Sequence, residues 1–319
     1  MDWLGAAIDG PLVVIRATHF AATAVLAGAL IFRAAVAEPA LRSTPEATTV
    51  VRSQIRLTAW IGLAIAAATG VVWFQLQAAA MSGLPFDEAM TSDVLSTVLN
   101  ETQFGLVSKV RLVLAVVLAV CLAYERFPQA RWLALGSALG FVAAIAWTGH
   151  AGSTLGELGN LHLTADALHL VAAASWIGGL VPLALMLAAP RRHPAFAWGL
   201  LAQDAAQSFS TLGIVSVGTL LVTGIVNAWI LVGSIHALTV TGYGQLLVLK
   251  LVVFATMLTF AAINRFWLTP RLDFSPDNES QLKALRQLTR NSVTEIALGL
   301  TIFAIVGVLG TLHPAIHLM

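Results

Sequence analysis

The sequence has very little charge and almost no cysteine. Of its 319 residues only 10% are Asp, Glu, Lys or Arg, whereas 58% are hydrophobic and the mean hydropathy is +0.85. A water-soluble domain of this length carries far more charge, so that class is excluded. The single cysteine, Cys121, excludes both a disulfide framework and a CxxC thiolate metal site. The net charge of +1 indicates no nucleic-acid partner and no strongly acidic one.

Long apolar runs account for the high hydropathy. A helix needs roughly 20 apolar residues to cross a bilayer, and eight runs meet that requirement. We therefore predict an all-α polytopic membrane protein that forms a single membrane domain over residues 1–319. The predicted spans are 11–35, 53–79, 104–124, 131–150, 161–189, 207–232, 243–268 and 292–312. No cleavable signal peptide is predicted, because the first run is long and carries Arg16 and His19.

Basic residues are concentrated in alternate connections. Most of the 17 Lys and Arg residues flank the first, third, fifth and seventh connections, whereas the even-numbered connections carry mainly acids. The positive-inside rule then predicts that both termini lie on the outer side of the membrane. All the histidines except His193 fall in the outer half under this orientation.

The two halves of the chain resemble each other in the same order and orientation. The matched segments are 19–30 with 169–180, 69–72 with 223–226, 104–105 with 243–244, and 134–136 with 297–299. The same offsets pair Arg111 with Lys250 and His150 with His313. We predict two parallel four-helix repeats, at about 11–150 and 161–313, related by an axis along the membrane normal.

The alignment also pairs Arg16 with Asp166, so equivalent positions carry opposite charges. We predict that these two side chains face each other, or a shared polar cavity, near the outer leaflet. The alternative is that each snorkels alone to the interface. Arg111 and Lys250 are expected to snorkel outward, and the fifth helix is expected to begin near residue 161.

Residues 166–180, DALHLVAAASWIGGL, place Asp166, His169 and Trp176 on one face of an apolar helix. A polar face inside a membrane helix is costly and indicates function. Imidazoles that converge in an outward-facing cavity would bind copper, zinc, iron or nickel. Asp166 is predicted to be a ligand, or an acceptor that fixes the tautomer of His169. The candidate ligands are His169, His150, His19, His313, His162, His317 and Asp166. The alternative for each is an ordinary polar side chain at the interface, and Asn264 with Glu295 is interpreted as a structural polar cluster.

The block Asp166-Ala167-Leu168-His169, followed by residues 176–180 (WIGGL), resembles the signature of the copper resistance protein D family. Residues 149–152 and Glu295 fit the same pattern, and the resemblance covers most of the chain, most strongly from about 147 to 300. It implies a bacterial inner-membrane protein of copper uptake or tolerance, with its termini in the periplasm. It also implies copper, as Cu(I) or Cu(II), and a small periplasmic copper carrier as partner. Some relatives carry that carrier fused; because this chain ends at Met319, soon after the eighth span, no soluble carrier domain is expected.

The leading hypothesis is a protein, not an enzyme, that accepts copper at a periplasm-facing histidine site and imports it into the cytoplasm. The alternative is a membrane electron-transfer protein that binds haem b, since bis-imidazole ligation requires two histidines per haem. His19 with His150 and His169 with His313 would then each hold one haem, and the protein would reduce copper or quinone. A third hypothesis is a structural membrane subunit.

Overall fold

The structure, a computed structural model, describes residues 9–189, 196–272 and 278–317, and every regular element within these ranges is a helix. Eight helices are long and apolar enough to cross a membrane, which confirms the predicted all-α class and the number of spans. They are α1 (Gly10–Ala40), α2 (Pro45–Ser82), α3 (Gln103–Ala123), α4 (Pro128–Thr148), α5 (Gly156–Ala188), α6 (Trp198–Val232), α7 (Gly242–Leu272) and α8 (Gln281–Leu309). Short helices lie between or after them, at Phe86–Ala89, Ser92–Glu101, His150–Ser153, Ile235–Val240 and Ala315–His317.

Three spans begin well before the apolar runs that predicted them. Helices α2, α6 and α8 start at Pro45, Trp198 and Gln281, against predicted starts of 53, 207 and 292. In α8 the added turns bury Ala284 and Leu288 on one face and expose polar residues on the other. Average hydropathy misses such turns because they are amphipathic.

The ends of α4, α5 and α8 also differ from the prediction. Helix α5 begins at Gly156, earlier than the expected start near residue 161. Helix α4 ends at Thr148 and α8 at Leu309. His150 and His313 therefore lie just beyond the membrane-spanning helices, where the apolar core of the bilayer constrains the backbone and the side chains less.

Helices α1 and α5 form the centre of the bundle, since they have the largest buried fraction of the eight spans. Their backbones touch where Gly28 of α1 meets Gly178 of α5. A Cβ atom placed on Gly178 would lie 3.2 Å from the Cα atom of Gly28. Small residues allow this approach, which is the usual way for membrane helices to gain close packing.

Helices α3 and α7 begin with the same capping arrangement. Thr102 Oγ1 accepts a hydrogen bond from the backbone N–H of Gly105 at 3.0 Å, and Thr241 Oγ1 accepts one from Gly244 at 3.0 Å. Each threonine satisfies an N–H group at the start of its helix. The short helix before each cap packs directly against the glycine.

Three spans contain a π-helical segment, at Arg33–Ala37 in α1, Ala174–Gly178 in α5 and Asn264–Leu268 in α7. A π segment adds a residue to a helical turn, turns the following side chains to a new direction, and is frequent at functional sites. The segments in α5 and α7 contain polar or aromatic side chains that point into the bundle and are described below.

One end of the bundle is held by ion pairs near the ends of α1, α2 and α3. Arg33 bonds to Glu125 at 2.5 Å and to Glu38 at 3.3 Å, and Arg52 bonds to Glu38 at 2.6 Å. These contacts join the end of α1 and the start of α2 to the connection after α3. We call this end the arginine end, and the opposite end, which carries His150 and His313, the cleft end.

Candidate metal site

A cleft of about 670 Å³ opens at the cleft end of the bundle. His150 and His313 both line it, and their positions follow from the ends of α4 and α8. His150 is half-buried and His313 is exposed. The floor of the cleft is formed by Ile230 of α6 and Gly310, just after α8. The structure therefore brings two of the predicted ligands to one solvent-accessible space.

His162 lies behind His150 on the first turns of α5. It is only 1% exposed, and its Nδ1 lies 2.9 Å from Oγ1 of Thr154. The Thr154 hydroxyl donates to the carbonyl of His150 at 3.2 Å, so it accepts from Nδ1–H of His162. His162 is close enough to His150 for the two rings to interact electrostatically.

His169 is held by a threonine of α6. Its Nδ1 lies 2.9 Å from Oγ1 of Thr223, whose own hydroxyl donates to the carbonyl of Thr219 at 2.6 Å. The threonine must therefore accept, which places the proton of His169 on Nδ1 and the lone pair on Nε2. Within the described ranges, Nε2 of His169 has no hydrogen-bond partner. A neutral imidazole with its second nitrogen fixed in this way is the form that binds metal ions.

Asp166 lies between His169 and the cleft. Its Oδ1 accepts a hydrogen bond from Nδ2 of Asn227 at 3.2 Å. Lys250 of α7 is close enough to interact electrostatically with both Asp166 and His169. Tyr243 also interacts with Asp166 and packs its ring edge-on against His150, with centroids 6.2 Å apart. Polar side chains thus connect the cleft to His169.

His19 occupies the equivalent position in the first half but has a different environment. Its Nδ1 lies 3.0 Å from Oγ1 of Thr69, which donates to the carbonyl of Ile65, and its Nε2 lies 2.6 Å from Nη2 of Arg111. Arg111 also donates to the carbonyl of Phe141. Both ring nitrogens of His19 are therefore engaged by the protein, and the side chain is only 2% exposed.

One prediction about the basic residues is wrong. Arg111 does not snorkel outward; it is 6% exposed and binds His19 inside the bundle. Arg16 also stays buried, and its Nη1 donates to the carbonyl of Gly310 at 3.0 Å beneath the cleft. None of the ion pairs in the described ranges joins Arg16 to Asp166; Arg16 bonds to Gly310, and Asp166 bonds to Asn227. That the two side chains face a shared polar cavity stays a prediction.

The six predicted ligands whose side chains the structure describes are not gathered into one centre. Among the described residues, no group of three or more His, Cys, Asp or Glu side chains lies close enough together to hold a metal ion. His150 and His313 line the cleft, and His162 is buried behind His150. Asp166 and His169 lie further along α5, and His19 is separate. The side chain of His317 lies outside the described part of the chain.

The two threonines that hold the histidines were not among the predicted site residues. Thr69 and Thr223 were noted only as part of the matched segments 69–72 and 223–226. The recurrence of Thr-Gly in the two matched segments, 50 residues after His19 and 54 residues after His169, was the signal that could have identified them. Asn227, one turn after Thr223 on α6, could have been found as a polar residue on the same helical face.

Comparisons with known proteins cover nearly the whole chain. The family model described as copper resistance protein D matches residues 203–309, and the model described as copper resistance protein D-like, N-terminal domain, matches residues 7–160. The copper resistance protein D of Pseudomonas syringae pv. tomato is 31% identical over 274 residues, which is 82% of this chain and 84% of the relative. The inner membrane protein YebZ of Escherichia coli (strain K12) is 30% identical over 250 residues, or 76% of this chain and 82% of the relative.

A third relative matches a shorter stretch. The copper transport protein CutJ of Bacillus subtilis (strain 168) is 34% identical over 125 residues, which is 39% of this chain and 22% of that protein. No solved structure matches the chain.

Proposed function

Because the chain belongs to the copper resistance protein D family and is a multi-pass, copper-handling protein of the inner membrane, we propose that it imports copper. In this proposal copper enters the cleft between His150 and His313 and passes to His169. The observation that carries the proposal is the open Nε2 of His169, below a cleft lined by two histidines.

The cleft is the proposed entry site. His150 follows the fourth span and His313 follows the eighth, yet both line one space at the cleft end. Imidazole is a suitable ligand for either oxidation state of copper. His162, placed behind His150, is the proposed second ligand on that side, and His317 remains a candidate at the mouth.

The second half of the chain is the proposed route inward. Asp166 and Lys250 balance each other there, whereas the first half buries two cations, Arg16 and Arg111. In a medium of low dielectric constant, two uncompensated cations repel a metal ion strongly. A copper ion that leaves the cleft is therefore directed toward Asp166 and His169 and away from His19.

The separation of the ligands agrees with transport. A closed site of three or four ligands would retain copper, whereas passage requires several weak sites in series. Pairs such as His150 with His313 and Asp166 with His169 would supply such steps. We therefore propose a relay of low-coordinate sites in which the ion is the cargo.

The first half acts as a structural counterpart in this proposal. The distance from His Nδ1 to Thr Oγ1 is 3.0 Å for His19 and 2.9 Å for His169, and Gly70 and Gly224 both lie against the Cε1 atom of their histidine. Together with the matching caps of α3 and α7, this supports two parallel four-helix repeats within one membrane domain. After duplication, one histidine acquired a fixed arginine partner and the other kept an open nitrogen.

The proposed orientation places the cleft end and both termini in the periplasm. The arginine end, which gathers Arg33, Arg52 and Arg56, then faces the cytoplasm, as the positive-inside rule requires. A periplasmic carrier protein would deliver copper to the cleft. A carboxy-terminal fusion to a reporter enzyme that is active only in the periplasm should be active; activity of a cytoplasmic reporter instead would reverse the assignment.

Copper uptake into proteoliposomes with a copper-sensitive dye inside tests the function. We expect wild-type protein to carry copper and His150→Ala or His313→Ala to slow its entry. His236→Ala is the matched control, because His236 is an exposed histidine on the short helix Ile235–Val240, outside the lining of the cleft. Equal uptake in all three variants would remove the cleft from the route.

Nothing in the described structure favours the haem alternative. It requires a free nitrogen on His19, but both nitrogens of that ring are hydrogen-bonded. A visible absorption spectrum of the purified protein decides the point, since bound haem gives a Soret band. Its absence, with copper found by metal analysis, is the expected result.

A further inference from the structure

A buried carboxyl group lies in the interior of the bundle, away from the copper route described above. Glu295 is near the middle of α8, about 21 Å along the helix from Leu309 at 1.5 Å per residue. It is only 2% exposed. It is not among the residues that line the cleft, and the side chains that interact with it, Asn264 and Trp176, are not proposed copper ligands.

The partners of Glu295 are neutral. Its Oε1 accepts from Nδ2 of Asn264 at 2.7 Å, and the indole of Trp176 is within hydrogen-bonding reach of the carboxyl. None of the described charged side chains interacts with it. On α7, Arg265 is directed to Ser210 of α6 at 2.5 Å, and on α8 itself Arg290 is exposed.

The sequence suggested a structural polar cluster of Asn264 and Glu295 near two arginines. The hydrogen bond between the two residues is present, but the arginines do not take part in it. A structural cluster normally pairs a buried charge with an opposite one, because an isolated ion inside a bilayer is very costly. A carboxyl group without a cation avoids that cost only by binding a proton.

The two donors come from π-helical segments. Trp176 is the central residue of Ala174–Gly178, and Asn264 is the first residue of Asn264–Leu268. These segments lie on different spans and turn both side chains toward one carboxyl group. The two N–H donors stabilise the ionised form of the Glu295 carboxyl group, whereas burial stabilises its neutral form. The carboxyl group can therefore exist in either form in these surroundings.

A polar path leads from Glu295 toward the arginine end. Asn291, four residues earlier on the same face of α8, donates to Oδ1 of Asn264 at 2.7 Å. Ser292, three residues before Glu295, is 1% exposed, and its hydroxyl has no hydrogen-bond partner in the protein. Its hydroxyl can therefore donate to a water molecule or to the carboxyl after a rotation about χ1.

We propose that Glu295 is a proton-binding site, and that its proton exchanges with water at the arginine end while copper is carried. In one state the carboxylate takes up a proton on one oxygen; in the other it releases that proton, and no other bond is made or broken. Trp176 follows His169 on α5, about 10 Å further along the helix, so this span contributes to both sites. The coupling to copper rests on the proposed function, whereas the protonation of Glu295 does not.

Infrared pH-difference spectra of the purified, copper-free protein test the protonation. We expect the carbonyl-stretch band of a protonated carboxylic acid in the wild type, and its loss in Glu295→Gln. Glu157→Gln, which changes an exposed carboxyl on the first turn of α5, is the matched control and should keep the band. A band that survives in Glu295→Gln overturns the proposal.

A second variant covers the case in which Glu295→Gln fails to fold. Trp176→Phe keeps an aromatic side chain against Phe254 but removes one N–H donor. The band should then move to higher frequency, because the carbonyl loses a hydrogen bond. An unshifted band would show that the protonated carboxyl is elsewhere, against the proposal.

The coupling is tested by copper uptake into proteoliposomes with and without an imposed proton gradient. Wild-type uptake should depend on the gradient and uptake by Glu295→Gln should not. Equal dependence in both overturns the coupling even if the infrared band is lost. Absence of any wild-type uptake would count against the proposed function and leave the infrared result standing.

Discussion

Arg111 donates a hydrogen bond to Nε2 of His19 at 2.6 Å. This contact separates the two histidines that the internal alignment makes equivalent. In the described ranges the corresponding Lys250 forms no such bond to His169, although the two interact electrostatically. The ring of His19 is therefore held at both nitrogens, whereas the ring of His169 is held only at Nδ1. The first three predictions depend on this difference.

Replacing each histidine by alanine should have opposite consequences. His169→Ala should lower copper affinity by about tenfold or more, since even the residues that orient a ligand contribute that much, with little change in thermal stability. His19→Ala should leave copper binding intact but lower stability by about 1–3 kcal/mol, because the buried Arg111 loses an acceptor. Metal titration and thermal unfolding in detergent measure both; a larger loss of copper in His19→Ala contradicts the assignment.

The threonines provide a matched pair of conservative changes. Thr223→Val removes the acceptor that fixes Nδ1–H of His169, so copper affinity should fall by about tenfold. Thr69→Val should leave affinity unchanged, because His19 is not on the proposed route. The pH profile of copper binding distinguishes a positioning role for Thr223 from a purely structural one: only Thr223→Val should alter it.

Asp166 and Lys250 should be energetically coupled. Asp166→Asn leaves the Lys250 cation uncompensated beside His169 and should reduce copper affinity strongly. In the double variant with Lys250→Met, part of the affinity should return, since the repulsive charge is gone. A double-mutant cycle should give a coupling energy of about 0.5–3 kcal/mol, as for residues in one network. Strictly additive effects would mean that Lys250 does not influence the site.

Copper binding should weaken on acidification. Imidazole must be neutral to bind a metal ion, so protons and copper compete for the same ring nitrogen. Copper affinity should therefore fall as the pH falls, which equilibrium titration with a competing chelator measures. An affinity that does not change on acidification would argue against histidine ligands.

The glycine contact between α1 and α5 should not tolerate a methyl group. Gly178→Ala would press a Cβ atom against the backbone of α1 and should destabilise the protein by about 1–3 kcal/mol. Gly136→Ala in α4 is the control, because a Cβ atom there meets nothing within 4 Å. Similar stability of the two variants would contradict the close packing described for α1 and α5.

The fold was largely predictable because the bilayer imposes a simple length requirement on apolar runs. All eight spans follow from it. The first turns of α2, α6 and α8 are not predicted, since their amphipathic residues lower the average hydropathy. The positions of His150 and His313 depend on where the helical hydrogen bonds of α4 and α8 end. Hydropathy does not report those helix ends.

The site was less predictable. Composition and spacing identified His150, His169 and His313 as candidates, and the structure places two of them in one cleft. They could not distinguish His19 from His169, because the distinction depends on whether a distant arginine or lysine reaches the ring. Such long-range hydrogen bonds leave no pattern along the chain, and only the recurrence of Thr-Gly hinted at the threonine contacts.

The contact of Gly28 with Gly178 has a mechanical consequence. Two backbones in direct contact cannot slide past each other without separating, so the crossing of α1 and α5 is expected to serve as a fixed pivot. Lipid-exposed spans such as α7, of which only 6% is buried, can rock around it. Any opening of the route toward the arginine end should then leave the α1–α5 crossing unchanged while α7 and α8 tilt.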